Sequence, residues 1–334
     1  MSTPQRPSTG GPSASPTTGP TVSPAGRSAV TPLVYVAIGV TILAWASAFI
    51  VVRGTGPHFT AGALALGRLV VGTVLLAPLL LRHAWVAPTR REWLLLLGFG
   101  GLWFGAYSVA LNLAEQTLDA GTTAMIVNIA PILIALGAGL FLGEGVPRWL
   151  LIGTGVAFVG VVLIGVGTGG SVFGGGLGLL WALLAALTYT AGVLFQKPVL
   201  ARLPNAQVVW LGCAIGMLVC TPFAGELVTG LASAPVEGWL GMIWLGAIPT
   251  ALGYTTWTYA LSRMPAGRLG VSTYIVPPVT IVLSFFLFGE VPALLAIVGG
   301  VVALVGVALS RRESATTNLG PVREEHLHSS TRSR

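Results

Sequence analysis

AGRLGVSTYIVPPVTIVLSFFLFGEVPALLAIVGGVVALVGVAL, residues 266–309, repeats a pattern already met at residues 120–163, AGTTAMIVNIAPILIALGAGLFLGEGVPRWLLIGTGVAFVGVVL. Ala120-Gly121 matches Ala266-Gly267, Pro131 matches Pro277, and Gly143-Glu144 matches Gly289-Glu290. Gly153 and Gly160 match Gly299 and Gly306, and every one of these pairs is 146 residues apart. Nearer the start of each half the offset is 144, where Trp45 faces Tyr189 and Arg53 faces Lys197. The chain is therefore a tandem duplication, and its fold is the fold of one unit used twice.

The units are apolar. Of 334 residues only 27 carry a full charge, 17 Lys and Arg against 10 Asp and Glu, or 8%, while hydrophobic residues make up 54%. A typical soluble domain is about 25% charged. So few charges do not cover a water-facing surface, which excludes an ordinary cytosolic enzyme, a nucleic-acid-binding protein and a disordered chain. The partner implied for most of the surface is the lipid bilayer.

A membrane-spanning helix needs about 20 mostly apolar residues. Punctuation by charges, Pro and Gly yields ten such runs, near 33–52, 61–81, 93–113, 121–142, 148–167, 176–196, 206–224, 238–261, 268–288 and 292–310. They lack the alternation of membrane-barrel strands. The expected fold is all-α and integral to the membrane, with ten transmembrane helices as two five-helix repeats at 31–167 and 168–310. The flanks 1–30 and 311–334 are rich in polar residues and read as disordered tails. His326 and His328 lie in the second of them and read as solvated residues.

An odd number of helices per unit makes the second copy enter the membrane from the opposite side. Such an inverted repeat can exchange the conformations of its halves, converting an inward-open cavity into an outward-open one. Charge placement agrees. With a cytoplasmic N-terminus, the inner segments hold Arg6, Arg27, Arg82, Arg90, Arg91, Arg148, Lys197, Arg202, Arg263, Arg268, Arg311, Arg312, Arg323, Arg332 and Arg334, and the outer loops only Arg53. This bias places both termini in the cytoplasm. It also explains the net charge of +7 as topology and not as a nucleic-acid footprint.

The second-half segment 251–309 and its first-half counterpart 111–165 resemble the EamA family of the drug/metabolite transporter superfamily. The shared pattern is an Ala-rich helix end, a turn, a helix carrying a Pro, then Gly-Glu and a Gly-rich helix. Trp-Ala-Ser-Ala-Phe at 45–49 resembles the family's first helix, and Arg68 matches a basic residue common in its second. The resemblance covers roughly 33–310. It implies a ten-helix carrier with a cavity between the halves, and many members export amino acids or other small metabolites. The runners-up are an uptake carrier and a non-transporting scaffold or sensor. An integral-membrane enzyme is disfavoured, because no catalytic or metal-binding cluster appears.

Arg68, within ALALGRLVVGTVLLAPLLL, is the sharpest single signal. About seven residues into its helix, it lies some 10 Å below the helix end. A charge at that depth faces the bundle interior, water or a partner, as an anchor for a substrate carboxylate or bonded to backbone carbonyls. The resemblance puts further polar and aromatic residues on the cavity: Trp45, Ser47, Tyr107, Asn112 and Asn128 from the first half, and Tyr189, Thr190, Tyr254, Trp257 and Tyr274 from the second. Such a pocket suits a neutral, zwitterionic or aromatic small molecule. Pro131 and Pro277 fall within helices and are candidate bends. Glu144 and Glu290 precede the fifth and tenth helices and read as helix caps.

All ten acidic residues fall in loops, helix ends or tails by this reading, Glu115 among them. Antiport of hydrophobic cations, which calls for a membrane carboxylate, is therefore disfavoured. Cys213 and Cys220 read as small core residues, and no cofactor or metal is implied.

Overall fold

The computed structural model of the protein describes residues 32–81, 84–141, 148–167 and 176–310. The segments expected as tails and Glu144 lie outside the described residues. The helices are α1 (Pro32–Thr55), α2 (Ala61–Leu80), α3 (Arg90–Glu115), α4 (Ala120–Phe141), α5 (Arg148–Gly167) and α6 (Gly176–Val199). They continue as α7 (Asn205–Val219), α8 (Ala224–Ser233), α9 (236–261), α10 (266–288) and α11 (Leu294–Ser310). No strand occurs among the described residues.

Local chemistry sets the boundaries. The Thr60 hydroxyl accepts from the Ala63 amide at 3.2 Å and starts α2. Thr89 and Glu92 form a reciprocal capping box at the start of α3. Asp119 starts α4 by accepting from the Thr122 amide at 2.8 Å and the Thr122 hydroxyl at 2.6 Å. Gly289, at φ 67°, closes α10 in the left-handed conformation that glycine alone adopts without strain.

Five described helices are long and apolar enough to cross a membrane: Pro32–His58, Ala61–Leu80, Arg90–Glu115, Ala120–Phe141 and Gly176–Val199. The seventh expected run differs from a simple span. Pro222 lies in a tight turn after α7, and α7 and α8 are bent by 54°, so together they make at most one broken span. The stretches 151–164, 273–288 and 294–306 are shorter apolar helices. Large apolar side chains such as Leu43, Val74, Phe158 and Phe286 point outward, as a lipid-facing surface requires.

The duplication is visible in the elements themselves. In α3, π-turns over Gly100–Ala106 separate Arg90–Phe99 from Tyr107–Glu115. In α9, π-turns over Gly246–Leu252 separate Val236–Leu245 from Gly253–Leu261, each boundary 146 residues later. Both α4 and α10 are interrupted, at Asn128–Ile129 and at Thr273–Ile275. Each resumes with proline as its second residue, Pro131 and Pro277. A proline there loses no hydrogen bond, because the first turn of a helix has no partner for its amide.

The repeated glycines bring α5 and α11 together. A Cβ on Gly160 would stand 2.5 Å from the Gly299 carbonyl oxygen, and one on Gly306 would stand 2.6 Å from the Gly153 carbonyl oxygen. Residue number rises along one helix as it falls along the other, so the pair is antiparallel. The contact is also reciprocal: adding 146 to Gly160 and subtracting 146 from Gly299 gives the second contact, Gly306 with Gly153. These two helices are therefore related to each other by a local two-fold axis across their length.

Close backbone approach makes this pair sensitive to a single methyl group. Gly160→Val is expected to lower the thermal unfolding midpoint of the detergent-solubilised protein, since overpacking against backbone costs about 1–3 kcal/mol or more. Gly155→Ala, whose Cβ meets nothing within 4 Å, is expected to leave the midpoint unchanged or raise it slightly.

Candidate functional site

Within the bundle a cluster of aromatic rings lines a small space together with Arg68. Trp45 on α1 lies 4.9 Å from Trp257 on α9, centroid to centroid, and 6.0 Å from Trp103 on α3. Trp103 lies 4.8 Å from Tyr189 on α6 and 5.0 Å from Tyr254 on α9. Mostly tilted and edge-to-face, these are the arrangements that ring quadrupoles favour. The space they leave, also lined by Arg68, Tyr107, Asn128 and Thr273, is about 30 Å³. That is room for about one water molecule.

Arg68 is 2% exposed. Its Nε donates to the Thr250 hydroxyl at 3.1 Å, and its Nη1 has no hydrogen-bond partner. The Thr250 hydroxyl in turn donates to the Leu245 carbonyl five residues back, at 2.7 Å. Thr250 lies within the π-turns over Gly246–Leu252, so the acceptor that holds Arg68 sits on an irregular stretch of α9. Gly72 and Gly246 allow α2 and α9 to approach: a Cβ on Gly72 would lie 2.7 Å from Thr250 Cγ2, and one on Gly246 2.8 Å from the Arg68 carbonyl oxygen.

The structure thus brings Trp45, Arg68, Tyr107, Asn128, Tyr189 and Tyr254 around one space, with Trp257 completing the aromatic ring behind Trp45. Four other expected residues lie elsewhere. Ser47 sits on another face of α1, where it accepts from the half-exposed Trp244 indole at 3.1 Å. The Thr190 hydroxyl donates to Ala186 one turn back at 2.7 Å, a bond within its own helix. Tyr274 lines a separate, mostly apolar cavity of about 320 Å³ between α4, α5, α10 and α11. Asn112 donates to the Ala61 carbonyl at 2.9 Å and so ties α3 to α2.

Glu290 departs from its expected role as a cap. Its Oε1 accepts from Arg53 Nε at 2.8 Å and its Oε2 from the Ser284 hydroxyl at 2.9 Å. Both oxygens are thereby used, and α11 begins four residues later, at Leu294. The carboxylate joins α1 to the turn between α10 and α11 instead. Arg53 Nη1 donates to the Glu115 carbonyl at the end of α3, at 3.0 Å. Lys197 Nζ donates to the Leu261 and Met264 carbonyls at the end of α9, at 2.5 and 2.9 Å. Glu115 and Leu261 are 146 residues apart, so each repeat places a cation on the C-terminal carbonyls of the matching helix, where the helix dipole favours it.

Two residues escaped the sequence reading. Trp103, 1% exposed, is central to the aromatic box. Its signal was spacing, since Trp103 and Tyr107 are four apart and share a helix face. Leu111 and Glu115 continue that step of four along α3. Glu115, read as a helix-end residue, is in fact 3% exposed, and neither carboxylate oxygen has a hydrogen-bond partner. It lines a recess of about 650 Å³ with Val52, Arg53, Ala61, Leu64 and Asn112. The recess continues the faces of α1, α2 and α3 that line the central space. Ala48, Phe49 and Leu111 line the central space itself on that side.

The far end of the bundle is tied differently. Arg202 Nε donates to Glu92 at 2.8 Å, and the Gln207 side chain brackets Val86, accepting from its amide at 3.0 Å and donating to its carbonyl at 2.6 Å. These contacts link the start of α3 to the α6–α7 turn and α7.

The sequence pattern of the EamA-like transporter family matches residues 32–166 and 176–312. The chain belongs to that family and is a membrane transporter of the drug/metabolite type. Among similar proteins, a probable terminal-alkyne amino-acid exporter of Streptantibioticus cattleyicolor is 34% identical over 283 residues, 83% of this chain and 93% of its own. A probable amino-acid metabolite efflux pump of Salmonella typhimurium is 26% identical over 237 residues, covering 67% of this chain and 79% of its own. A solved crystal structure superposes with a TM-score of 0.58 at 19% identity, covering 83% of this chain and 96% of that one, a likeness of fold.

Thr250 carries two buried hydrogen bonds, so Thr250→Val leaves Arg68 Nε without an acceptor. The expected loss of unfolding free energy is about 1–3 kcal/mol, measured by denaturation in detergent. Thr229→Val, on the exposed face of α8, is expected to stay within about 0.5 kcal/mol of the parent.

Proposed function

We propose that the protein is a secondary transporter that exports a small organic metabolite carrying a carboxylate, most simply an amino acid, across the cytoplasmic membrane by alternating access. The observation that carries this reading is the Arg68 guanidinium. A cation with an unbonded nitrogen is buried at the centre of the bundle among Trp45, Trp103, Tyr189 and Tyr254. Arginine presents a planar fork that matches a carboxylate, and the rings around it suit the apolar part of the same molecule. The central space of about 30 Å³ is too small for such a substrate, so this conformation is a closed one, and loading requires the rings to part.

In this reading the ten helices form two inverted five-helix repeats, with both termini in the cytoplasm. The reciprocal, antiparallel contact of α5 with α11 and the exact recurrence of the π-turns at 146 residues support the inversion. The preponderance of Lys and Arg in segments on one side supports the orientation. Exchange of conformation between the halves then opens the central space alternately to each side. The names of the Streptantibioticus and Salmonella relatives support export and an amino-acid-like cargo.

Purified protein in proteoliposomes is expected to move one or more amino acids, and cells overproducing it to tolerate amino acids at toxic levels. Arg68→Gln is expected to raise KM for the free acid by about ten- to a hundredfold, since hydrogen bonds to charged groups contribute about 1.5–3 kcal/mol. The same variant loses discrimination against the methyl ester. Arg68→Lys keeps the charge without the fork and falls between. An Arg68→Gln protein that still prefers the free acid over the ester as strongly as the parent overturns the anchor. A reconstituted protein that moves no metabolite in a broad panel overturns the transport reading.

A further inference from the structure

Glu115 is the one buried carboxylate in the spanning part of the described structure that makes no hydrogen bond through either oxygen. An isolated ionised carboxylate in an apolar setting is strongly disfavoured, and in membranes such groups mark ion and proton routes. None of its charged neighbours bonds to its carboxylate. Arg53 on α1 spends Nε on Glu290, and its Nη1 reaches only the backbone carbonyl of Glu115. Asp119, at the start of α4, spends both oxygens on Thr122. Arg68 on α2 spends Nε on Thr250. These four, Arg53, Glu290, Asp119 and Arg68, are the charged groups that face Glu115 from the elements around it.

Glu115 borders the recess of about 650 Å³ at this end of the bundle, with both carboxylate oxygens covered in this conformation. The same stripe of α3 that carries Trp103, Tyr107 and Leu111 to the central space carries Glu115 to the recess. Its counterpart in the second repeat is Leu261, so the feature is present at one end only. Duplication does not explain it.

We propose that Glu115 is a proton-binding site that couples transport to the proton gradient. The coupling runs through Arg53. With a proton on Glu115, Arg53 stays on Glu290 and holds α1 to the turn before α11. When the proton leaves into the recess, the new carboxylate competes for the guanidinium that already touches its own backbone carbonyl. The Arg53–Glu290 bridge loosens, and this end of the bundle is free to open. The inference rests on the transport reading for its meaning, but the proton site itself is testable without a substrate.

A hydrophobic carbodiimide, which attacks protonated carboxyls in apolar surroundings, is expected to modify Glu115 in the full-length protein, detected by peptide mass, at a rate that falls as pH rises. No modification at Glu115 overturns the proposal. In proteoliposomes a pH gradient is expected to stimulate flux of a transported amino acid, with steady-state accumulation of up to about tenfold per pH unit for one-to-one coupling. Glu115→Gln brings the ratio of stimulated to unstimulated flux to about one, whereas Glu237→Gln, on the exposed surface, keeps it. Retention of the full ratio in Glu115→Gln overturns the proposal, as does stimulation by a sodium gradient in place of protons. Should wild-type protein show no flux of any amino acid, the transport reading fails and the carbodiimide result alone decides the proton site.

Discussion

The bond from Arg68 Nε to the Thr250 hydroxyl connects nearly everything at the centre of this protein. Its acceptor lies where α9 leaves the regular helix, in the π-turns over Gly246–Leu252, and the Thr250 hydroxyl there reaches back five residues to Leu245. Gly72 and Gly246 permit the close approach of α2 to these turns. Held by one nitrogen, Arg68 lines the same small space as the aromatic rings from α1, α3, α6 and α9. A charge in an apolar bundle is tolerated only where something fixes it. Here the fixture is a local fault in a helix, placed where both repeats carry the same fault.

The duplication supplies symmetry, and function lies in the departures from it. Arg53 and Lys197 show the symmetric part: each cation sits on the C-terminal carbonyls of the matching helix, α3 or α9. Glu290 bonding to Arg53 adds a bridge from the second repeat to the first. The glycines of α5 and α11 show symmetry at its most literal, each contact being the image of the other. Arg68 itself, at the centre, stands alone. Its place 144 residues on is taken by Gly212, which packs against Phe99 and Phe104.

Much of this was legible in the chain. Spacing exposed the repeat, and the same pairs of glycines and prolines turn out to mark the helix contact and the helix breaks. Arg68 was legible because a charge within an apolar run has few explanations. Trp45, Tyr107, Asn128, Tyr189 and Tyr254 joined it because aromatic and polar residues were expected on a cavity wall. Ser47 and Thr190 did not, since a hydroxyl in a helix is satisfied by its own backbone and reveals nothing about the face it occupies. The bend at Pro222 and the partner of Glu290 are tertiary facts, as one depends on packing and the other on a residue 237 positions away. Glu115 stands at a helix end as its position indicated, but its burial was not legible, because the end of α3 is covered by α1 through Arg53.

That burial bears on how a duplicated carrier is coupled to a gradient. Two inverted repeats by themselves are equally willing to open at either end, and alternating access built on them is reversible. Net direction comes from the gradients acting across the membrane, and a site for a coupling ion lets one of them act on the cycle. At one end Arg202, Glu92, Gln207 and Val86 link the repeats through contacts that include no buried unpartnered carboxylate. At the other a buried carboxyl stands beside the cation that bridges the repeats, in the position where the second repeat has Leu261. A proton taken up or lost there changes the balance of one closure and leaves its counterpart untouched. Glu115 thus makes the two ends chemically unequal within a duplicated architecture.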